Sequence, residues 1–472
     1  MTRDARRRAY RNINFYCAVI LGLALRTVLL MSSNDKKKIE VHVAAAVGLG
    51  AIIGAGIFVL SGTAIALAGS FAIVAFALVG ILALIIALEL AELGSLMPYV
   101  KGASYSYTYN ALGSELGFIT GMMRYMALST AIGAIALGFG SYLSSFLGLQ
   151  LSVYAIPFAI ILIFLLSIVN MFGVKKAAQA DFWLVIIKIG VLLLFIIFAL
   201  FFAFSDKSVG LSNIQFNFSG GTVKGIFAAG VVVFFAYSGF QSIATLTDRI
   251  KGGSKGYVTA ILSAVAISVV LYLLIAVALL LLLPPSSYKI VADPLSYALK
   301  SAAAPSWLTA IVAIGALVAT ASATIAMILT ASRSLYQMGI DRLLPRYFRK
   351  YNSKTDTAQN GIMVSAVIGI LALFAGNIYI IAAISNFGLM TNYLLVGLDV
   401  IHFRRRGIKS PFMMPFYPYL PVLGIIMLLA FFMGMPPEAL LIGTVLILIL
   451  LITYYAIREM RDKRVIREKL FT

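Results

Sequence analysis

Long apolar segments separated by short polar ones run through almost the whole chain. Most apolar segments approach or exceed the roughly 20 residues that a helix needs to cross a membrane. The polar segments between them carry most of the charged residues. The pattern predicts an all-α polytopic membrane protein with twelve spans, at about 43–67, 71–94, 116–147, 152–172, 181–204, 224–246, 257–283, 307–332, 360–376, 378–402, 417–434 and 438–457.

Composition and charge agree with this class of protein. The chain is 62% hydrophobic and 11% charged, whereas about 25% of the residues of a soluble domain are charged. Its net charge is +20, but the basic residues concentrate in every second loop, and the loops on the other side carry only Lys207, Lys224, Lys289 and Lys300. Because cytoplasmic loops collect Lys and Arg, the excess indicates topology, not nucleic-acid binding. It predicts a plasma-membrane protein with both ends of the twelve-span unit in the cytoplasm.

The segment 1–31 differs from the spans. Its apolar run is interrupted by Arg26 and has basic residues on both flanks. A spanning helix here would leave one basic flank outside, against the charge rule, and no small-residue cleavage site of a signal peptide follows the run. We expect an N-terminal extension, either a non-native upstream start or an interfacial helix, in preference to a thirteenth span.

The first span contains a cluster of glycines between Gly48 and Gly56. Each glycine inside a helix costs about 1 kcal/mol relative to alanine, so the helix can unwind here. Unwound backbone at membrane depth is tolerated where it is buried in protein or lines a cavity. We therefore expect a ligand site with free N–H groups at Ala55, Gly56 and Ile57, at the positive end of a second half-helix. A side chain added at Gly56 is expected to fill the space of a bound carboxylate.

A second interruption, at 236–239, lies five spans later and at a similar depth. Taken alone, each interruption is explained as well by the close packing that glycine permits between membrane helices as by a ligand site. Two of them, five spans apart, match the inverted-repeat plan of secondary transporters. The plan assigns 40–204 to the first repeat, 224–403 to the second, and 404–472 to two further spans and a basic tail.

Four motifs follow one another along the chain: IIGAGIF at 52–58, ELAELGSLMPYVKGASYSY at 89–107, FFAYSGFQSIATLTDRIKGG at 234–253 and SRSLYQMGIDRLLP at 332–345. In this order they resemble the motifs of the amino acid–polyamine–organocation permeases. The resemblance covers about 40–460, although Asp248-Arg249 replaces a usual pair of glutamates. It implies a LeuT-like 5+5 inverted repeat with broken helices 1 and 6 and two further spans, similar to prokaryotic proton-coupled amino acid transporters.

The resemblance also implies how an amino acid would bind. Its carboxylate would meet the N–H groups of broken span 1, and its ammonium the free carbonyls of span 6 near Phe235, Ala236 and Ser238. Both charges need such partners in a low-dielectric site. The expected substrate-binding residues are Ile53, Gly54, Ala55, Gly56, Ile57, Phe235, Ala236, Tyr237, Ser238 and Gly239. The aromatic residues that either line the pocket or simply pack are Phe234, Tyr237, Phe240 and Tyr393.

The acidic residues of the predicted spans lie near the span ends and not in the middle. Glu89 and Glu92 lie near the end of span 2, Asp181 at the start of span 5 and Asp399 near the end of span 10. A cationic substrate side chain or a polyamine would need a desolvated counter-ion. The sequence therefore favours neutral, small or apolar amino acids.

Lys188 is an ionisable residue about two turns into span 5. Such residues are costly within a membrane and usually functional, although a long lysine side chain can also extend to the interface. In some proton-coupled members of the family a span-5 lysine takes the place of a sodium ion. The resemblance implies that role for Lys188, with a carbonyl near Ile52 or Ile53 and the hydroxyl of Ser322 as partners, or Thr324 in its place.

Arg124 is a second charged residue within a span. For this residue we expect its side chain to extend to the interface; the alternative is a pair with Asp248 or Glu92 in an inner gate.

Other classes of protein remain open at this stage. An exchanger or polyamine permease of the same fold differs only in substrate or coupling, and a non-transporting sensor would usually carry an added signalling domain. The spans lack the convergent acids, histidines or nucleophile–base pairs of a membrane enzyme, and we predict no cofactor or metal. A major facilitator carrier would have a long loop after span 6, where this chain has a short one. The predicted partners are a small amino acid, protons and the lipid bilayer.

Overall fold

The computed structural model describes residues 39–98, 104–149, 153–173, 177–205, 210–218, 221–241, 243 and 250–470. The N-terminal extension predicted at 1–31 lies outside these residues. The described residues form fifteen α-helices: α1 (Val41–Ile52), α2 (Gly56–Ala68), α3 (Ala72–Leu96), α4 (Ser104–Leu112), α5 (Ser114–Phe146), α6 (Ala155–Phe172), α7 (Ala177–Ser205), α8 (Thr222–Tyr237), α9 (Gly253–Leu282), α10 (Pro294–Ser301), α11 (Ser306–Ile340), α12 (Gln359–Ala372), α13 (Ile378–Arg405), α14 (Tyr419–Phe432) and α15 (Pro437–Leu470).

These helices account for the twelve predicted spans. Span 1 comprises α1 and α2, span 2 is α3, and spans 3, 4 and 5 are α5, α6 and α7. Span 6 begins as α8, span 7 is α9, and spans 8 to 12 are α11 to α15. In the described part of the chain, eight apolar segments are long enough to cross a membrane, and four shorter apolar helices complete the set. The prediction of an all-α polytopic membrane protein is confirmed.

Burial divides the spans into a centre and a periphery. Spans 3 and 10 are the most buried of the long spans, and span 12 is the least buried. Span 3 packs along both span 8 and span 10, while span 2 packs along span 7, and the second half of span 1 along span 6. The broken helices therefore lie in the protein interior, where unwound backbone is shielded from lipid.

The two ends of the bundle differ in charge. We call the end at which spans 2 and 10 finish the basic end, since it carries the loops rich in Lys and Arg. At this end Arg404 of span 10 pairs with Glu92 of span 2. Helix α4 lies between spans 2 and 3 at the basic end, and α10 lies between spans 7 and 8 at the opposite end.

Candidate substrate and coupling site

Span 1 is interrupted where the glycine cluster predicts. Its first half ends at Ile52 and its second half begins at Gly56. The amide of Val59 donates to the Ala55 carbonyl over 2.9 Å, which marks the first turn of the second half. The N–H groups at the start of a helix have no intrahelical acceptor and carry partial positive charge. Buried as they are, they provide a site suited to a carboxylate.

Span 6 is interrupted at the second predicted position. Its helix ends at Tyr237, Ser238 is extended, and Gly239 adopts a φ of 118° that favours glycine. The residues that follow, at 242 and 244–249, lie outside the described part of the chain, and Asp248 is one of them. The first half of span 6 thus presents its carbonyl end inside the protein, as the sequence predicts.

The two interruptions touch each other directly. A Cβ atom at Gly56 would lie 2.4 Å from the Cα atom of Ala236, and one at Gly239 would lie 2.4 Å from the carbonyl oxygen of Ala51. The expectation that Gly56 leaves room for a carboxylate on its Cα side is therefore wrong. That space holds the backbone of span 6, and the glycine permits close approach of the two broken helices.

A tyrosine of span 7 joins both interruptions. The hydroxyl of Tyr272 lies 2.7 Å from the carbonyl oxygen of Ile52 and 3.1 Å from that of Ala236. Its side chain is completely buried, and its single hydrogen is shared between carbonyls in the last turns of two half-helices. This residue was missed in the sequence, where the only signal is a tyrosine within an otherwise aliphatic stretch of span 7.

Two of the carbonyls expected to be free are already engaged. The Phe235 carbonyl accepts the backbone amide and the hydroxyl of Ser238, at 3.2 and 2.7 Å. The Ala236 carbonyl accepts from Tyr272. Since a carbonyl has two lone pairs, Ala236 retains one for a ligand ammonium, whereas Phe235 has none left. The expectation of a free Phe235 carbonyl is wrong for this structure.

Three of the four aromatic candidates pack on one another, and the fourth packs on a tyrosine of span 7. Tyr393 stacks on Phe240, with ring centroids 5.8 Å apart, and meets Phe234 edge to face at 5.9 Å. Tyr237 packs on Tyr272 at 4.9 Å. These rings pack on aromatic neighbours and are buried, which matches the packing role that the sequence analysis left open.

Lys188 lies between spans 1 and 8. On the same face of span 5, Val185 contacts the position of Gly50 in span 1, and Val191 contacts the position of Gly315 in span 8. Lys188 is one turn from each valine and only 1% exposed. Its side chain therefore does not extend to the membrane surface, and that alternative is excluded.

The predicted hydroxyl partners lie on span 8 beside the interruption of span 1. The Cβ atom of Ala323 is 3.6 Å from the Cβ position of Gly54, and Ser322 and Thr324 flank Ala323 in the chain. Both hydroxyls donate to carbonyls of their own helix, at 3.0 and 2.8 Å. Their lone pairs remain able to accept from an ammonium group.

Arg124 does not extend to the interface as expected, because it is only 5% exposed. It lies near the hydroxyls of Tyr105, Tyr107 and Tyr393. Glu92, one of the two alternative partners, accepts two hydrogen bonds from Arg404, at 2.5 and 2.8 Å. The other proposed partner, Asp248, lies outside the described residues.

A cavity of about 370 Å³ opens at the end of the bundle opposite the basic end. Beside it Lys300 donates to the carbonyl and the hydroxyl of Ser145, at 2.8 Å each. Asp293 precedes α10, and burial raises its pKa from 3.8 to about 6, with Ser145 and Lys300 acting in the opposite direction. The lining residues are Ser145, Phe146, Ser296, Lys300, Ala304, Ser306, Thr309, Ala310 and Ala313. None of these belongs to either interruption.

The raised pKa of Asp293 predicts a pH dependence of stability. The folded state binds this proton more tightly than the unfolded state, so the stabilisation is complete below about pH 4 and is lost as the pH rises through about 6. The free energy of unfolding of the wild type should therefore decline by on the order of 3 kcal/mol as the pH rises above about 4. We expect Asp293→Asn to remove this decline. Thermal unfolding of the detergent-solubilised protein across this pH range measures it, with the exposed Glu438→Gln as control. An unchanged decline in Asp293→Asn would contradict the assignment.

Adjacent broken helices inside an all-helical bundle define a membrane transporter of the LeuT-like fold. Crystal structures of a manganese transporter from Eremococcus coleocola share this fold, with a TM-score of 0.55 over 90% of this chain and 95% of that chain, at 14% sequence identity. The predicted fold class is confirmed.

The amino acid permease family model matches residues 43–469, and the chain belongs to this family. It is 30% identical to the branched-chain amino acid permease BcaP of Lactococcus lactis, over 89% of this chain and 94% of that protein. It is also 30% identical to the methylthioribose transporter of Bacillus subtilis, over 82% and 86% of the two chains. The predicted family and the secondary transporter class are confirmed.

Proposed function

We propose that this protein takes up neutral amino acids across the plasma membrane by proton symport. The contact between the interruptions of spans 1 and 6 carries the proposal. It places the positive end of one buried half-helix beside the carbonyl end of another, at Gly56 and Ala236. A zwitterion needs this pair of opposite partial charges close together.

The substrate side chain is proposed to be uncharged because the nearest buried carboxyl of span 2 is far from the interruptions. Gly80 of span 2 faces the Tyr237 hydroxyl, and Glu89 lies nine residues further along the helix. At 1.5 Å per residue this separation is about 13 Å. A substrate ammonium or guanidinium at the interruptions would therefore be buried without that counter-ion.

Protons are proposed as the coupling ion because Lys188 is buried between spans 1 and 8. Its neighbours Val185 and Val191 contact these spans, and the side chain is 1% exposed. A protonated ammonium here would hold the three spans together, and its deprotonation would loosen them. The basic end of the bundle is proposed to face the cytoplasm, since Lys and Arg collect there.

Competition for uptake tests the substrate class. In proteoliposomes, unlabelled alanine, leucine or valine should inhibit uptake of a labelled neutral amino acid, with apparent affinities at least about tenfold higher than those of arginine, lysine and putrescine. The panel also includes methylthioribose, the substrate named for one relative. Inhibition by putrescine as strong as that by leucine would contradict the proposal. Inhibition by methylthioribose alone would replace the amino acid by a neutral thiosugar.

A further inference from the structure

Two carboxyl groups, those of Glu89 in span 2 and Asp399 in span 10, lie buried near the basic end and take no part in the site described above. Their side chains are 1% and 0% exposed, and the two groups are close enough to interact electrostatically. One belongs to the first half of the chain and the other to the second. Any change in their charge therefore acts on the contact between the two halves.

The surrounding backbone makes room for the Glu89 carboxyl. Its Oε1 atom is 3.2 Å from the Cβ position of Gly397 in span 10 and 3.4 Å from that of Gly424 in span 11. Asp399 accepts a hydrogen bond of 2.7 Å from the hydroxyl of Thr108 on α4. Among the described residues, Glu89 Oε1 and Asp399 Oδ1 are buried without a hydrogen-bond partner. Each carboxyl thus has an oxygen that can hold or share a proton.

Arg404, the basic side chain of span 10 that pairs with span 2, is already engaged. One turn beyond Glu89, Glu92 accepts two hydrogen bonds from Arg404 and a third from the Met414 amide over 2.8 Å. Arg404 also donates to the Met414 carbonyl over 3.1 Å. His402 follows Asp399 by one turn; its ring lies edge to face with the Phe403 ring, and its Nε2 atom is buried without a hydrogen-bond partner within the described residues. The Glu92–Arg404 pair forms a separate layer between the two carboxyls and the basic end.

In the described part of the chain, the ion pairs do not include either carboxyl. From span 3, Arg124 lies against the tyrosines that include Tyr105 and Tyr107 of α4. Tyr257 of span 7 donates to the Leu90 carbonyl over 3.1 Å. Span 11 is uncharged throughout, and the second half of span 1 likewise. Two neighbouring carboxylates without a cation are strongly disfavoured in such surroundings.

We propose that the pair of Glu89 and Asp399 binds one proton and forms a second proton-binding site, near the cytoplasmic end of the transporter. Binding converts one carboxylate to a carboxylic acid, and release to the cytoplasm restores two like charges that repel each other. Repulsion would separate span 2 from span 10 and open the basic end, with α4 moving away from Asp399. The role of the pair in opening the basic end rests on the proposed proton-coupled transport. The binding of a proton by the two carboxyls does not depend on that proposal.

Infrared spectroscopy of the purified protein in lipid tests proton binding without any transport. In an Asp293→Asn background, which removes the carboxyl before α10 whose pKa is raised, the protein should show a carboxylic acid C=O band above about pH 6, where ordinary carboxyls are ionised, and the band should disappear at higher pH. Glu89→Gln and Asp399→Asn, which resemble the neutral groups, should each remove the band. Glu438→Gln, an exposed carboxyl at the opposite end, should leave it unchanged.

The absence of the band in the Asp293→Asn background, or its persistence in both variants, would overturn the proposal. A matching melting temperature shows that each variant is folded, and either variant alone decides the outcome if the other fails to fold. Substrate exchange provides a second readout. It should vary about tenfold between pH 6 and 8 in the wild type, and the variation should be smaller in Glu89→Gln, where only the proposed proton of Lys188 remains. A titrating band in a protein without uptake would refute the transport proposal and retain the proton site.

Discussion

Replacement of Gly56 by alanine is expected to abolish most substrate binding and uptake. The added Cβ atom would lie 2.4 Å from Ala236 Cα and 3.1 Å from its backbone nitrogen. A helix backbone cannot yield as a side chain can, so spans 1 and 6 must separate. Overpacking of this kind costs about 1–3 kcal/mol. If this free energy is lost from substrate binding, the affinity for substrate decreases about tenfold to a hundredfold.

The matched control is Gly190→Ala in span 5, a glycine with no atom within 4 Å of its Cβ position. It tests whether any glycine replacement in a span disturbs the protein. Binding is measured by the substrate-induced increase in melting temperature, and uptake in proteoliposomes. A folded Gly56→Ala protein with wild-type affinity would show that the contact between the interruptions does not shape the site.

Replacement of Lys188 by alanine is expected to remove proton-driven accumulation while substrate binding survives. No charge would then remain between spans 1, 5 and 8 to gain and lose a proton. The proposed contacts with the substrate are backbone groups of spans 1 and 6, and the variant leaves them in place. Uptake of the wild type should increase severalfold, up to about tenfold, under an inward proton gradient, and that of Lys188→Ala should not respond to it.

Ile187→Ala is the control for Lys188→Ala, because Ile187 is the preceding residue and faces outward with 47% exposure. It removes a similar volume from the same turn of span 5 and should keep the wild-type response. Ser322→Ala and Thr324→Ala then identify which hydroxyl assists the lysine. Accumulation by Lys188→Ala at the wild-type level would place the coupling elsewhere.

The fold was predictable because its signals are local. Apolar length fixes each span, and the glycines near Gly54 and Gly239 weaken a helix at the position where it breaks. Both signals can be read without knowing which other helices pack against the span. The burial of Lys188 followed from its depth within span 5, since a lysine two turns from the helix end has little room to reach the surface.

The errors concern contacts between distant parts of the chain. The role of Gly56 was misread because the sequence does not show that the Ala236 backbone fills the adjacent space. Tyr272 was missed because its partners are the backbone carbonyls of Ile52 and Ala236. Every residue has a backbone carbonyl, so the sequence does not show which ones accept a hydrogen bond from a side chain. Arg124 was expected to reach the interface, and its burial depends on the packing of spans 3 and 10 with α4.

The central claim, that the contacting broken helices and Lys188 form a proton-coupled carrier of neutral amino acids, is tested most directly by uptake into proteoliposomes. Labelled leucine or alanine is supplied outside, with an inward proton gradient, no sodium and a clamped membrane potential. The account predicts accumulation above the external concentration that a proton ionophore abolishes. Equilibration without accumulation, at the same rate with and without the gradient, would contradict it.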